Sequence, residues 1–160
     1  MIVDQAELER WGRRIGERVR TPVFLGLRGP LGAGKSVLAR AVARGAGVGE
    51  AMASPTFNLV FRYDRPGGGP VLHMDLYRLE RPDELWELGW EELGGDREII
   101  LVEWPERAGD LLPRDRWEIH LTLPEPGDEM DGPRELYRRV SVRRFGRPPH
   151  LPGFPVSVAG

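Results

Sequence analysis

Apolar residues fall into two kinds of run along this chain. Pro22-Val23-Phe24-Leu25-Gly26-Leu27 and Ile99-Ile100-Leu101-Val102 are short and nearly continuous. Such runs predict strands covered on both faces of a parallel sheet. Ile119, Leu121 and Leu123 instead alternate with polar residues, as do Val140 and Val142, which predicts two half-exposed strands. The polar stretch from Pro124 to Pro133 between them suggests an antiparallel pair at the edge of the sheet.

Helical spacing marks two further segments. Leu8, Trp11, Ile15 and Val19 share one face, and Asp4-Gln5-Ala6-Glu7 before them has the form of a capping box. Ser36 to Ala43 reads as a second helix, ending in the cluster Gly45, Gly47 and Gly49. A third helix is expected to open at Pro82-Asp83-Glu84 and run to Gly94-Gly95, with Trp86 and Trp90 turned into the core. Ser54-Pro55-Thr56-Phe57 begins an extended segment, because the residue before a proline avoids the helical region. Asn58 to Tyr63 and Val71 to Asp75 are predicted strands joined by a turn rich in glycine and proline. The alternation of strands and helices predicts an α/β fold, three-layered, with a mainly parallel central sheet and antiparallel edge strands. The domain is expected over residues 1–145. The tail 146–160, with four prolines and little periodicity, is expected to be poorly ordered or extended on the surface.

Composition narrows the chemistry. A length of 160 residues, 40% hydrophobic and 30% charged, suits a single α/β core. The absence of cysteine excludes disulfides, thiol catalysis and cysteine-bound zinc. A formal charge of −2 argues against strong nonspecific binding to nucleic acid. Two arginine clusters stand out, Arg10, Arg13, Arg14 and Arg18 near the start and Arg138, Arg139, Arg143 and Arg144 near the end. They read as solvated faces, with partner or RNA contact the alternative. The start lacks the pattern of a signal peptide, and no apolar run reaches the roughly 18 residues of a membrane span, so a cytoplasmic protein is expected.

Of the 23 basic residues, Lys35 is the single lysine. It lies in Gly29-Pro30-Leu31-Gly32-Ala33-Gly34-Lys35-Ser36, which fits the phosphate-binding pattern G-x-x-x-x-G-K-[ST]. In that pattern backbone N–H groups wrap the phosphates, lysine reaches the β- and γ-phosphates, and the hydroxyl binds Mg²⁺. A compact ammonium in a chain that otherwise uses arginine points to a place where a planar guanidinium would not fit. The strand before the loop and the helix after it complete the required order, and the helix N-terminus adds its dipole. The residues from Gly29 to Ser36, with Val37, are therefore the candidate nucleotide site, which the resemblance described below makes an ATP site. Such a site needs a carboxylate at the end of a neighbouring buried strand. Glu103, after Ile99-Ile100-Leu101-Val102, is the first candidate, and Asp75, after Val71-Leu72-His73-Met74, the second. His73 itself reads as a histidine satisfied by hydrogen bonds within the sheet rather than a metal ligand.

The loop together with Ser54-Pro55-Thr56-Phe57, His73-Met74-Asp75-Leu76-Tyr77-Arg78 and Val102-Glu103-Trp104-Pro105 resembles the TsaE family, also called YjeE. The four motifs stand in order, and the resemblance covers roughly Asp4 to Val142. The resemblance implies a P-loop ATPase that works beside TsaD and TsaB in making threonylcarbamoyladenosine in tRNA, weakly active without them. It implies Lys35 on the phosphates, Ser36 and Glu103 on Mg²⁺, and Asp75 in catalysis. Ser54 and Thr56 would lie in a switch sensing the γ-phosphate. Tyr77, Arg78 and Trp104 would support the catalytic loop or the partner, and Gln5 and Arg134 would lie near the nucleotide. Ser36 replaces the commoner threonine. Pro30 replaces an acidic residue and is expected to change the loop's field while leaving its backbone donors in place. A small-molecule kinase is the alternative, although no arginine-bearing lid is evident. A GTPase lacks its Asn-Lys-x-Asp motif here, and a nucleotide-dependent binding module without turnover stays open.

Overall fold

The computed structural model describes residues 1–49 and 59–154. Among them seven strands form one mixed sheet: β1 (Ile2–Asp4), β2 (Val23–Arg28), β3 (Val60–Tyr63), β4 (Val71–Asp75), β5 (Ile99–Glu103), β6 (Arg116–Thr122) and β7 (Tyr137–Phe145). Their order across the sheet is β1-β7-β6-β2-β5-β4-β3. The middle strands β6, β2, β5 and β4 are parallel, and β3, β7 and β1 pair antiparallel at the two sides.

The continuous apolar runs of β2 and β5 are explained by two cores. Leu25, Leu27, Ile99 and Leu101 face helices α1 (Gln5–Arg18) and α2 (Lys35–Gly45). Phe24, Ile100 and Val102 face the opposite side, where Leu85, Trp90 and Ala108 cover them. Alternate residues of one strand thus enter different cores, and neither face can be polar. Asp4 caps α1, its Oδ1 accepting from the Glu7 N–H at 2.8 Å while Glu7 Oε2 accepts from the Asp4 N–H. Such a cap stabilises a helix by about 1 kcal/mol. The two helices touch almost backbone to backbone. A Cβ at Gly16 would lie 1.9 Å from the Val42 carbonyl oxygen, and one at Gly45 would lie 2.0 Å from that of Arg13. This close seat brings the first turn of α1 beside the loop that opens α2.

Several expectations are corrected. The segment after Pro82 is not one α-helix but two 3₁₀ segments, Pro82–Leu88 and Trp90–Glu92, broken at Gly89. Gly89 sits at φ 77°, in the left-handed region. The break turns Trp90 into the second core and leaves Trp86 47% exposed, so only one of the two tryptophans packs inside. The pair β6–β7 is antiparallel, but neither strand is the edge. β6 adds parallel to β2, and the short strand β1, unforeseen in the sequence, pairs outside β7. Residues 147–154 of the tail form no helix or strand and lie against the domain. Trp11 Nε1 donates to the Pro152 carbonyl at 2.8 Å, Trp117 Nε1 donates to the Pro149 carbonyl at 2.7 Å, and Phe154 stacks on Trp11. Two indole N–H groups that burial would otherwise leave unpaired hold this segment down. No helix among the described residues is long and apolar enough to cross a membrane.

Candidate functional site

The glycines of the Gly29–Ser36 loop answer a steric demand. Gly29 has φ 143°, and a Cβ there would lie 2.2 Å from the Leu121 carbonyl oxygen. Gly34, at φ 106°, precedes Lys35 as the N-cap of α2. A side chain at either position would open the turn that joins β2 to α2. Pro30 has no amide hydrogen, so it contributes a carbonyl and not a donor. The expectation that the backbone donors are unchanged is corrected by that one N–H.

Lys35 is buried, at 4% exposure, and its Nζ donates to the carbonyls of Gly29 and Pro30. The Nζ also lies 4.4 Å from the centre of the Trp104 ring. Burial lowers the Lys35 pKa from its ordinary value, and the nearby Glu103, Asp75 and Glu106 carboxylates pull it back up. Trp104 reaches this position through a left-handed backbone at φ 58°, uncommon for a non-glycine residue. Tyr77 leans on the same ring at 5.0 Å.

β2 and β5 end side by side, with Leu27 opposite Glu103, and Asp75 on β4 opposite Glu103 on its other flank. Ser36, in the first turn of α2, comes within 3.0 Å of Glu103 Oε1 and 3.2 Å of Oε2. His73 Nε2 lies 2.6 Å from Glu103 Oε2. Burial raises the Asp75 carboxyl above its ordinary range; the Tyr77 N–H on its Oδ1 opposes this, and the Glu103 charge adds to it. A cleft of about 490 Å³ opens here, with the loop on one side and Asp75, Glu103, Tyr77, Arg78 and Trp104 on the other. Backbone N–H groups at a helix start, an ammonium and two carboxylates suit a phosphate chain with a hard cation.

A second cavity, of about 190 Å³, lies on the far side of Gly32–Gly34. Leu8, Val37 and Leu136 supply apolar wall, and Gln5 and Arg138 supply polar groups. Arg138 donates to the Ala33 carbonyl at 3.0 Å and to the Gly32 carbonyl at 3.1 Å, tying β7 to the loop. Arg134 is exposed and outside the lining of both cavities, so the late arginine at the loop is Arg138. Alternation with Val140 on β7 could have revealed this, since residues 138 and 140 share a face. Gln5 lines the same cavity as Gly32–Gly34, with its amide donating to Glu9 Oε1. Ser54, Thr56 and the start of the predicted Asn58–Tyr63 strand lie outside the described residues. His73 Nε2 pairs with the carboxylate of Glu103 on the neighbouring strand, and no simple spacing rule connects the two, thirty residues apart.

A strand, a glycine loop and a helix, with an acidic residue closing the adjacent parallel strand, define a P-loop nucleoside-triphosphatase fold. The crystal structure of YdiB from Bacillus subtilis shares it, with a TM-score of 0.67, 25% identity, and coverage of 91% of this chain and 83% of that one. The family model described as threonylcarbamoyl adenosine biosynthesis protein TsaE matches residues 2–130. The chain belongs to the TsaE family. A Synechocystis relative, named tRNA threonylcarbamoyladenosine biosynthesis protein TsaE, is 36% identical over 117 residues, covering 69% of this chain and 71% of its own. A Rickettsia bellii protein of the same name is 41% identical over 125 residues, covering 77% and 85%.

Proposed function

We propose that this chain binds and hydrolyses ATP with Mg²⁺, serving threonylcarbamoyladenosine formation on tRNA beside TsaD and TsaB in the cytoplasm. The observation that carries this reading is the meeting of Ser36 and Glu103 at 3.0 Å, with Asp75 in register beside Glu103 and Lys35 in the same loop. The donor set fits Mg²⁺. A hydroxyl and a carboxylate oxygen stand together, and the described residues contain no cluster of three metal-ligating side chains. A cation that keeps waters and phosphate oxygens as ligands needs few from the protein. When bound, Mg²⁺ would neutralise phosphate charge and make the terminal phosphorus easier to attack.

The chain's own groups do the rest. Lys35 would leave the Gly29 and Pro30 carbonyls for the β- and γ-phosphates, while loop amides and the start of α2 hold the phosphate oxygens. Ser36 and Glu103 would hold the cation. Asp75, with its pKa raised by burial, would orient the attacking water and accept its proton. The cavity walled by Leu8, Val37 and Leu136, with Gln5 at its rim, would take the adenosine end. Ser54 and Thr56 would face the γ-phosphate, and Tyr77, Arg78 and Trp104 would carry contact to the partner. The test is phosphate release with and without TsaD, TsaB and tRNA. Stimulation by the partners is expected. Stoichiometric phosphate transfer to a metabolite would replace this reading with a small-molecule kinase, and turnover indifferent to the partners would remove its link to tRNA modification.

A further inference from the structure

Glu103 is 4% exposed, so each of its carboxylate oxygens needs a donor or a cation. Ser36 has a single hydroxyl hydrogen and lies closer to Oε1 than to Oε2. Among the described residues, the donor at Oε2 is His73 Nε2, at 2.6 Å. His73 is 1% exposed on β4, where it is paired with Leu101 while Asp75 is paired with Glu103, so His73 and Glu103 are diagonal neighbours on one face of the sheet. Its other ring nitrogen, Nδ1, is buried with no partner among the described residues.

These facts assign the ring. A lone pair cannot face a carboxylate at that distance, so Nε2 carries the hydrogen. Nε2 is therefore a donor to Oε2, and this bond holds the carboxylate in place.

We propose that His73 is a positioning residue for the metal site: it pins Oε2 of Glu103, so that Oε1 faces Ser36 and the divalent cation. This rests on the Mg²⁺·ATP reading above. Without His73, the carboxylate can turn about its last torsion or withdraw from Ser36. Hydrogen-bonding partners of metal ligands commonly change metal affinity by about 10- to 100-fold.

The test is equilibrium binding of a fluorescent ADP analogue, titrated with Mg²⁺ from an EDTA-treated baseline, for the parent, His73→Gln, His73→Asn and His73→Phe. Glutamine places an N–H near the position of Nε2, while asparagine falls short and phenylalanine keeps the ring without a donor. Metal-free nucleotide affinity is expected to stay within about twofold in all four, since the loop and Lys35 are untouched. The Mg²⁺ concentration that half-saturates the tightening is expected to rise about tenfold or more in the Asn and Phe variants and to recover in Gln. If the Phe variant fails to fold, the Gln and Asn pair decides, because both replace the ring by an amide. Parent-like Mg²⁺ dependence in Asn or Phe, or no recovery in folded Gln, overturns the proposal alone. A parent without Mg²⁺-dependent nucleotide binding overturns both the proposal and the reading beneath it.

Discussion

Ser36 Oγ and Glu103 Oε1 lie 3.0 Å apart, joining the first turn of α2 to the end of β5. The contact makes the loop helix and the acidic strand end one unit, with Asp75 in register on the next strand. Glu103→Gln and Asp75→Asn should therefore separate binding from turnover. The phosphate loop and Lys35 remain in both, so nucleotide affinity should be largely retained. Hydrolysis should fall by about 10²-fold or more, as expected when a group acting in the transition state is lost. ATP affinity beside partner-stimulated phosphate release measures this, and normal turnover in both variants would make these carboxylates structural strand ends.

Lys35→Ala and Lys35→Arg should both lose tight ATP binding. The Nζ fits beneath the Trp104 ring and between the carbonyls of Gly29 and Pro30, a space matched to a compact ammonium. A planar guanidinium in the same loop has to displace the ring or the loop. Calorimetric titration with ATP checks this; wild-type affinity in Lys35→Arg would show that charge alone suffices.

Asp75 makes a pH-dependent contribution to stability. Its folded pKa is raised above the ordinary value of 3.8, so the folded chain holds this proton more tightly than the unfolded chain does. The stability linked to that proton is complete below the ordinary value and is lost as pH rises through the raised one. At neutral pH the ionised, half-buried carboxylate works against folding, so Asp75→Asn should raise the Tm there. The gain should shrink in acid, where the parent Asp75 is protonated. Melting curves across pH 3 to 8 give the comparison, and a constant difference would remove desolvation as its cause.

Gly16→Ala should destabilise the fold without touching the cleft. Its Cβ would lie 1.9 Å from the Val42 carbonyl oxygen and 2.6 Å from the Ala46 nitrogen, both backbone atoms of the facing helix segment. The helices must part, at a cost of about 1–3 kcal/mol or more. Urea unfolding measures it, and an unchanged midpoint would mean that the helices can slide freely.

Removing residues 147–160 should lower stability by about 2 kcal/mol or more. The Trp11 and Trp117 indoles lose their carbonyl acceptors, and Phe154 leaves the face of Trp11. Thermal unfolding of the shortened chain tests it; an unchanged Tm would show that the tail lies on the domain without holding it.

Local chemistry made much of this molecule legible in the sequence. Glycine conformation and the order strand, loop and helix pointed to the phosphate loop, and Asp4 with Glu7 announced the start of α1. Runs without polar residues marked β2 and β5, because a strand covered on both faces has no polar side to show. After Pro82 the acidic residues and spaced tryptophans suit a helix, and the left-handed Gly89 breaks it into two 3₁₀ segments. Sheet neighbours were less legible. Period-two alternation says which residues share a face but not which strand lies beside them, so the inner place of β6 and the short strand β1 had no signature. The tail's seat depended on distant indole N–H groups that needed acceptors. Likewise, residues Ser36, His73 and Glu103 each made sense alone as a hydroxyl, a sheet histidine and a strand-end acid. Their joining belongs to tertiary structure, because hydrogen-bond partners are chosen by strand order and register among residues far apart in the chain.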